Sequence, residues 1–175
     1  SNVLGTTALT EDVVQAGETI TVIEKGRMAT YTSNADDTAE TMVQNLRNEI
    51  NRKGLEVDIG LTTDGVIEAK HKNYGSADEF QVMSSSAGVL SQGEDQIETS
   101  AAGQDVKGTI NGESAVGQGQ VLTGVKGAAC VDGLSVRYYG DGKNLEIQPE
   151  CKVADIEAED GEAVPEERAE IPAEG

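Results

Sequence analysis

One histidine and a group of serines are the residues of this chain best suited to hydrolytic chemistry. His71 is the single histidine among 175 residues. A general base needs a second group to orient it and a cleft for substrate, and the sequence around His71 indicates neither. The nearby serines lack the G-x-S-x-G elbow of a serine hydrolase; they are Ser84, Ser85, Ser86 and Ser91. We therefore expect a surface histidine, no catalytic residues and no enzyme.

Clusters of glycine and of carboxylate residues could bind ions, but turns and solvated surface groups explain them better. Gly117-x-Gly119 lacks a following G-K-[ST] and a helix start, so a phosphate site is disfavoured and a bend or bulge is expected. Calcium could bind weakly to carboxylate clusters, but the twelve-residue register of an EF-hand is absent. Those clusters are Asp36-Asp37, Glu94-Asp95 and residues 157–162. No cofactor or metal site is predicted.

The two cysteines leave their redox state open. Cys130 and Cys151 bracket a predicted hairpin, so a disulfide across it or beside it is conceivable. Spacing alone does not establish proximity, and two free thiols are the favoured interpretation. A zinc site is disfavoured because neither cysteine has a second cysteine at ligand spacing.

Charge is the strongest feature of the composition. The chain has 32 acidic and 13 basic residues, for a formal net charge of −19, which disfavours nucleic acid and anionic membranes as partners. Four Tyr, one Phe, no Trp and 21 Gly indicate a thin core rich in β-structure. No apolar run is long enough to cross a bilayer, and no secretory signal peptide is recognisable.

The elements predicted over residues 19–84 form a ββαβββ subdomain, preceded by a lead-in at residues 1–18. Two strands, 19–24 and 27–32, are joined at Lys25-Gly26. A helix follows that ends at Gly54, and its apolar stripe is predicted to pack on an antiparallel sheet. Its predicted N-cap candidates are Asn34, Asp36 and Asp37, and its stripe is Met42, Val43, Leu46 and Ile50.

Alternating apolar residues predict three further strands after the helix. They cover residues 55–61, residues 66–70 beyond the Asp64-Gly65 turn, and the segment around Phe80 and Val82. Because the helix lies between the strands and the strands are joined by tight turns, the fold class is α+β and β-rich.

A second subdomain, mainly antiparallel β, is predicted over residues 85–150. A small, polar connector with a possible short strand at Val89-Leu90 leads into it. Asn111-Gly112 predicts a hairpin with a type I′ turn. A strand at 133–140 is expected to form a hairpin with 144–148 through Asp141-Gly142, and residues 151–175 read as an acidic, solvated tail.

The order of residues from Asp105 to Gly124, D-V-x-G-T-I-N-G-E-x-A-x-G-x-G-Q-x-L-T-G, resembles the hook IN motif of bacterial flagellar axial proteins. That motif occurs above all in the filament cap, hook-associated protein 2, and also in some flagellins. The residues that carry the resemblance are Asp105, Gly108, Thr109, Ile110, Asn111, Gly112, Glu113, Ala115, Gly117, Gly119, Leu122, Thr123 and Gly124.

The preceding segment is similar to a module repeated in flagellins and filament caps, so the resemblance spans residues 19–140. Its matching phrases are Tyr31-Thr32-Ser33, Ile50-Asn51, Gly54-Leu55-Glu56-Val57, Asp64-Gly65 and Tyr74-Gly75-Ser76. The acidic tail departs from the family pattern.

The resemblance implies a structural protein of the flagellum: an outer region of the filament cap, which promotes flagellin assembly at the tip. It also implies self-association into a multimeric ring, flagellin and other axial proteins as partners, and export to an extracellular location without a cleavable signal peptide. Two alternatives stay open, namely the exposed variable domain of a flagellin and an extracellular adhesin or carbohydrate-binding module. The pair Tyr138-Tyr139 motivates the last, since lectins use exposed aromatic faces.

Overall fold

The computed structural model describes residues 1–139, 145–147 and 163–165, and the chain divides into two compact units. Unit 1 comprises Ser1–Asn73 and Asp78–Gly103, and unit 2 comprises Tyr74–Ala77 and Gln104–Gly175. The fold is α+β and rich in strands, as the sequence predicts. Among the described residues, no helix is long and apolar enough to cross a membrane.

Unit 1 contains two helices and two antiparallel sheets. The elements are β1 Asn2–Leu4, α1 Glu11–Gln15, β2 Thr19–Glu24, β3 Arg27–Thr32, α2 Ala39–Lys53, β4 Val57–Leu61, β5 Ile67–His71, β6 Gln81–Ser84 and β7 Glu98–Thr99. One sheet has the order β3-β2-β6-β7 and the other the order β1-β5-β4. The backbones of Asn2 and Ala101 form a bridge between antiparallel segments, with hydrogen bonds of 3.2 and 2.9 Å.

Helix α2 packs against β3 and β4 and buries the predicted apolar stripe completely or almost completely. Its N-cap is Thr38, whose hydroxyl accepts from the Thr41 amide, so the three predicted cap candidates were wrong. Thr38 is the residue that directly precedes the helical backbone, and its hydroxyl reaches the N3 amide as a cap requires. Gly54 ends the helix in the left-handed region, with φ +69°, as predicted.

Residues outside the predicted ββαβββ subdomain also belong to unit 1. Strand β1 pairs with β5 and brings Val3 into the core, so the lead-in is part of the sheet. Val89 and Leu90 are buried but form turns, which makes the short strand predicted there wrong. The short strand forms instead at Glu98–Thr99, where it pairs with β6 and extends unit 1 beyond the expected boundary at residue 84.

In the described part of unit 2, the strands form one six-stranded sheet. Its elements are β8 Gly108–Ile110, β9 Glu113–Gln118, β10 Val121–Gly124, β11 Ser135–Tyr138, β12 Leu145–Ile147 and β13 Ala163–Pro165. The strand order is β12-β8-β9-β10-β11-β13. Its apolar core consists of Ile110, Leu122, Val131, Leu134, Val136 and Tyr138.

Two pairings in unit 2 differ from the sequence predictions. Strand β12 pairs in parallel with β8, so the predicted hairpin between 133–140 and 144–148 was wrong; the Asp141-Gly142 turn lies outside the described residues. Strand β13 lies in the segment predicted as a solvated tail, and it pairs antiparallel with β11. Since β12 adds to β8, one side of β11 is left for β13. Pro165 is tolerated there because β13 is an edge strand.

Candidate functional site

The segment that resembles the hook IN motif forms three consecutive antiparallel strands, β8, β9 and β10. Asn111 and Gly112 have φ values of +52° and +73°, and positive φ at both central residues is the signature of a type I′ turn. The hairpin predicted at Asn111-Gly112 is therefore confirmed. The next turn, at Gly119 and Gln120, has positive φ at Gly119 alone (+59°), which is the pattern of a type II′ turn.

Gly117 allows another part of the backbone to cross directly over β9. A Cβ atom at this position would lie 1.6 Å from the carbonyl oxygen of Val106, far inside van der Waals contact. The amide of Val106 also donates to the carbonyl of Gly119 at 2.8 Å. A bend or bulge was expected at Gly117-x-Gly119. The bend is present at Gly119, but no bulge forms at Gly117, which pairs regularly with Leu122 and makes room for the crossing segment.

The carboxylate of Asp105 fixes this crossing to the loop Tyr74–Ala77, which also belongs to unit 2. Its Oδ1 accepts from the amides of Gly119 (2.8 Å) and Ser76 (3.0 Å), and its Oδ2 accepts from the hydroxyl of Ser76. The Ser76 hydroxyl and these two amides stabilise the ionised form, so the pKa of Asp105 lies below its usual value. This buttressed turn, defined as Tyr74–Ala77, Asp105-Val106 and Gly117–Gly119, is the candidate functional site.

A second glycine in the loop is needed for the same close packing. Gly75 has φ +115°, and a Cβ there would lie 2.8 Å from both Asp105 Oδ1 and the Cα of Gly119. A Cβ at Gly119 would in turn lie 2.8 Å from the carbonyl oxygen of Tyr74. The loop and the turn therefore touch through backbone atoms on both sides, and a larger residue at either position would separate them.

The other motif residues pack, pair or turn the chain around the buttressed turn. Ile110 and Leu122 are fully buried, and Ala115 packs against the same core. Gly108 begins β8, where Thr109 pairs with Ser114. The residues of the motif thus shape the backbone and the core of unit 2.

Three side-chain or backbone contacts tie the motif to the following segment. The carboxylate of Glu113 accepts from the amide of Cys130 at 3.4 Å, and Thr123 exchanges a hydrogen bond with Ser135 at 2.9 Å. Gly124 donates to the carbonyl of Leu134 at 2.9 Å, and a Cβ there would lie 1.8 Å from the Val131 carbonyl oxygen. A second close backbone crossing therefore lies at Gly124, in β10.

Cys130 is disulfide-bonded. The expectation of a free thiol at this position was therefore wrong, and Cys151 lies outside the described residues. Sequence spacing could not decide the question, because it says nothing about which chain segments are adjacent in space.

His71 is buried, so the prediction of a surface histidine was wrong. Its Nε2 lies 2.9 Å from Oε1 of Glu24, and its Nδ1 accepts from the Asn73 amide at 3.0 Å. With Nδ1 as an acceptor, the hydrogen bond to Glu24 is donated by Nε2. Both side chains are completely inaccessible to solvent, so this pair joins strands β2 and β5 and presents no surface to a substrate.

Glu24 remains a paired carboxylate in this buried position. Burial alone would raise its pKa, but hydrogen bonds from the Glu56 amide (2.7 Å) and from His71, with the positive charge of Lys25, hold the pKa below its usual value. The partner of His71 was missed because it lies 47 positions away in sequence, and no local pattern marks such a pair.

The remaining candidates for chemistry have structural partners. The hydroxyls of Ser84 and Ser91 lie 3.0 Å apart, and Ser86 donates to buried Glu18 at 2.6 Å. Asp37 accepts from the Tyr31 hydroxyl and the Asn34 amide, which lower its pKa. Within the described ranges, no group of three or more His, Cys, Asp and Glu side chains is arranged to hold a metal ion. Residues 157–162 lie outside those ranges.

Comparisons with known proteins add no relative to this picture. The chain matches no family model, no curated protein and no solved structure. A functional proposal must therefore depend on the residues themselves, and above all on the way in which the loop Tyr74–Ala77 and the segment Asp105–Gly124 meet.

Proposed function

We propose that this chain is a structural component of the bacterial flagellum, contributing outer domains to the filament cap that promotes flagellin assembly at the tip. One observation carries the proposal. Two phrases that resemble flagellar sequences, Tyr74-Gly75-Ser76 and the segment from Asp105 to Gly124, are far apart in sequence but share the hydrogen-bonding site on the Asp105 carboxylate. Phrases that build one local structure together are a stronger resemblance than either phrase alone.

The proposed action is steric and conformational. The motif residues supply turns, close backbone crossings and core side chains, so the proposal requires no bond to be made or broken and no cofactor. The partners are further copies of the protein, flagellin and other axial proteins. A net charge of −19 keeps exposed surfaces soluble and disfavours binding to nucleic acid or membranes.

The disulfide at Cys130 supports an extracellular location, because disulfides persist mainly in oxidising environments. The flagellin alternative shares the same motif and the same compartment, so it is retained as the second candidate. The adhesin alternative is weaker. Tyr138 is 5% exposed and belongs to the core, which leaves Tyr139 as the exposed member of the pair that motivated it.

Immunogold electron microscopy of the source bacterium tests the location directly. An antibody raised against this chain is expected to place gold at filament tips, and a strain that lacks the gene provides the background. Gold along the whole shaft would replace the cap with a flagellin domain. Gold on the cell body beside unlabelled flagella would overturn the flagellar proposal and bring the adhesin forward.

A pair of glycine variants tests whether the buttressed turn matters for that role. In the gene-deletion strain, a copy with Gly117→Ala should fail to restore tip labelling, because a Cβ would strike the Val106 carbonyl. Gly112→Ala is the matched control, since a Cβ there meets nothing within 4 Å. Equal tip labelling by both variants would contradict the importance of the crossing.

A further inference from the structure

The solvent side of the sheet β3-β2-β6-β7 carries no charged side chain. Strand pairing places the same-facing residues opposite one another: Thr19 with Thr32, Thr21 with Thr30, and Ile23 with Met28. On the other side of β2, Thr21 and Ile23 lie opposite Met83 and Gln81, and Gln81 lies opposite Thr99. We call these residues the threonine face; they are Thr19, Thr21, Ile23, Met28, Thr30, Thr32, Gln81, Met83 and Thr99.

The other sheet of unit 1 shows that this absence of charge is not general. On the corresponding side of β4 and β5 lie Asp58, Glu68 and Lys70, and the last two form an ion pair of 2.9 Å. Across the whole chain, 26% of the residues are charged, most of them acidic. The threonine face is therefore a neutral area on a strongly negative molecule.

The polar atoms of the threonine face are largely paired with one another. The hydroxyls of Thr19 and Thr32 are 2.8 Å apart, and those of Thr21 and Thr30 are 3.0 Å apart. Covering a hydroxyl costs little when its hydrogen bond is already made within the protein, and much more when the bond is lost. The same face exposes 53% of Met28, a flexible apolar side chain suited to adaptable contacts.

From these observations we propose that the threonine face binds the threonine face of a second copy of this chain. Two molecules that each carry a charge of −19 repel one another over most of their surfaces, and this repulsion is least where neither presents charge. A basic partner would have to bury its positive charges on a face that offers no carboxylate to pair with them. A second, identical face brings no charge, so no charged group is buried without a partner. A contact between identical faces closes as a two-fold pair and does not itself build a ring, so the inference goes beyond the proposed function by adding a pairing of two copies.

The size of the face determines how strong the contact is. With strands about 4.8 Å apart and about 6.7 Å between same-facing residues, the face covers roughly 300–400 Å². Pairing two copies buries about 600–800 Å², which is less than the roughly 1,200 Å² of a stable standard interface. The isolated chains should therefore associate weakly, at concentrations of hundreds of micromolar, and more completely where an assembly holds many copies together.

The three methionines of the chain provide the test. Met28 and Met83 lie on the threonine face, and Met42 is buried in the core as an internal reference. With 13C-labelled methionine methyl groups, spectra recorded from 10 μM to 1 mM should show the Met28 and Met83 signals moving with concentration while Met42 stays fixed. Sedimentation velocity on the same samples should show the matching rise in average mass.

Two variants with the same substitution separate the face from general charge effects. Thr30→Glu places a carboxylate on the threonine face and should weaken association at least tenfold, whereas Thr63→Glu, at an exposed turn, should change it less than twofold. The Met42 signal reports that each variant is folded. Constant spectra and mass up to 1 mM would overturn the inference, as would association that leaves Met28 and Met83 unmoved or responds equally to both variants. Gold labelling reports only location, so the two proposals can fail independently.

Discussion

The two units reach a defined structure by different means. Unit 1 buries nineteen apolar residues around α2 and two sheets, whereas the apolar core of unit 2 comprises six buried residues within the described part of the chain. Unit 2 compensates with backbone crossings, at Gly117 under Val106 and at Gly124 under Val131. Unit 1 also has a close crossing, where a Cβ at Gly5 would lie 2.4 Å from the Val89 carbonyl oxygen, but it has the larger apolar core. Unit 2 therefore depends more strongly on its crossings.

This difference predicts opposite sensitivities. In a core of large side chains, removing methyl groups leaves a cavity, and the cost grows with the volume lost. At a backbone crossing, adding one methyl group forces two chain segments apart, and the hydrogen bonds around them are lost together. We consequently expect truncation of core side chains to be the main weakness of unit 1, and added methyl groups at the crossings to be the main weakness of unit 2.

The largest effect is expected from Gly117→Ala. A Cβ placed 1.6 Å from the Val106 carbonyl oxygen must separate β9 from the crossing segment. We expect unit 2 to lose about 4 kcal/mol of stability or to unfold, as in the severe class of packing errors. Hydrogen exchange measured by mass spectrometry should show rapid exchange over β8 to β10 and unchanged protection in α2.

Gly112→Ala is the control for the glycine substitution itself. Its φ of +73° disfavours alanine, but nothing lies within 4 Å of the added atom, so about 1 kcal/mol should be lost. Equal losses in the two variants would show that backbone conformation matters at these sites and the crossing does not.

Leu46→Ala tests the opposite sensitivity in unit 1. Leu46 is completely buried on the inner side of α2, and truncating it should cost about 3 kcal/mol. In the same exchange experiment, α2 and the two sheets of unit 1 should lose protection while β8 to β10 keep theirs. Loss of protection in β8 to β10 of similar size would contradict a separate source of stability for unit 2.

Asp105→Asn should produce a smaller effect than Leu46→Ala, and one that depends on pH. Three donated hydrogen bonds favour the ionised carboxylate, so replacing it should cost about 1–2 kcal/mol at neutral pH. Because the folded-state pKa is lowered, the stabilisation is complete above the unfolded value of about 3.9 and is lost as the pH falls through the lower folded value.

The measurement for Asp105 is the difference in unfolding midpoint between the wild type and the variant. That difference should be constant from pH 7 to pH 5 and should shrink below pH 4, because the wild type alone loses the contribution. Ser76→Ala is the matched variant. It removes one of the three donors to Asp105, so it should give a smaller difference in unfolding midpoint with the same dependence on pH. A difference that grows in acid would contradict the assignment.

Sequence patterns predicted correctly those elements that depend on residues close together in the chain. The apolar stripe of α2 and the paired turn residues Asn111-Gly112 were readable because helical spacing and positive φ are properties of adjacent residues. The pairing of β12 with β8, the contact of His71 with Glu24 and the close approach at Gly117 were not, because each joins segments distant in sequence. A glycine needed for flexibility and one needed for space look the same in a sequence.

The discontinuity of unit 2 has a consequence for the order of folding. Its strands begin after residue 104, but the Ser76 donors that satisfy Asp105 come from a loop 29 positions earlier. Because the chain is synthesised from its N-terminus, this loop is made before the turn that it contacts, and the contact is complete only when Gly119 is also present. A fragment that begins at residue 104 would contain strands β8 to β13 and still leave the Asp105 carboxylate without two of its three donors.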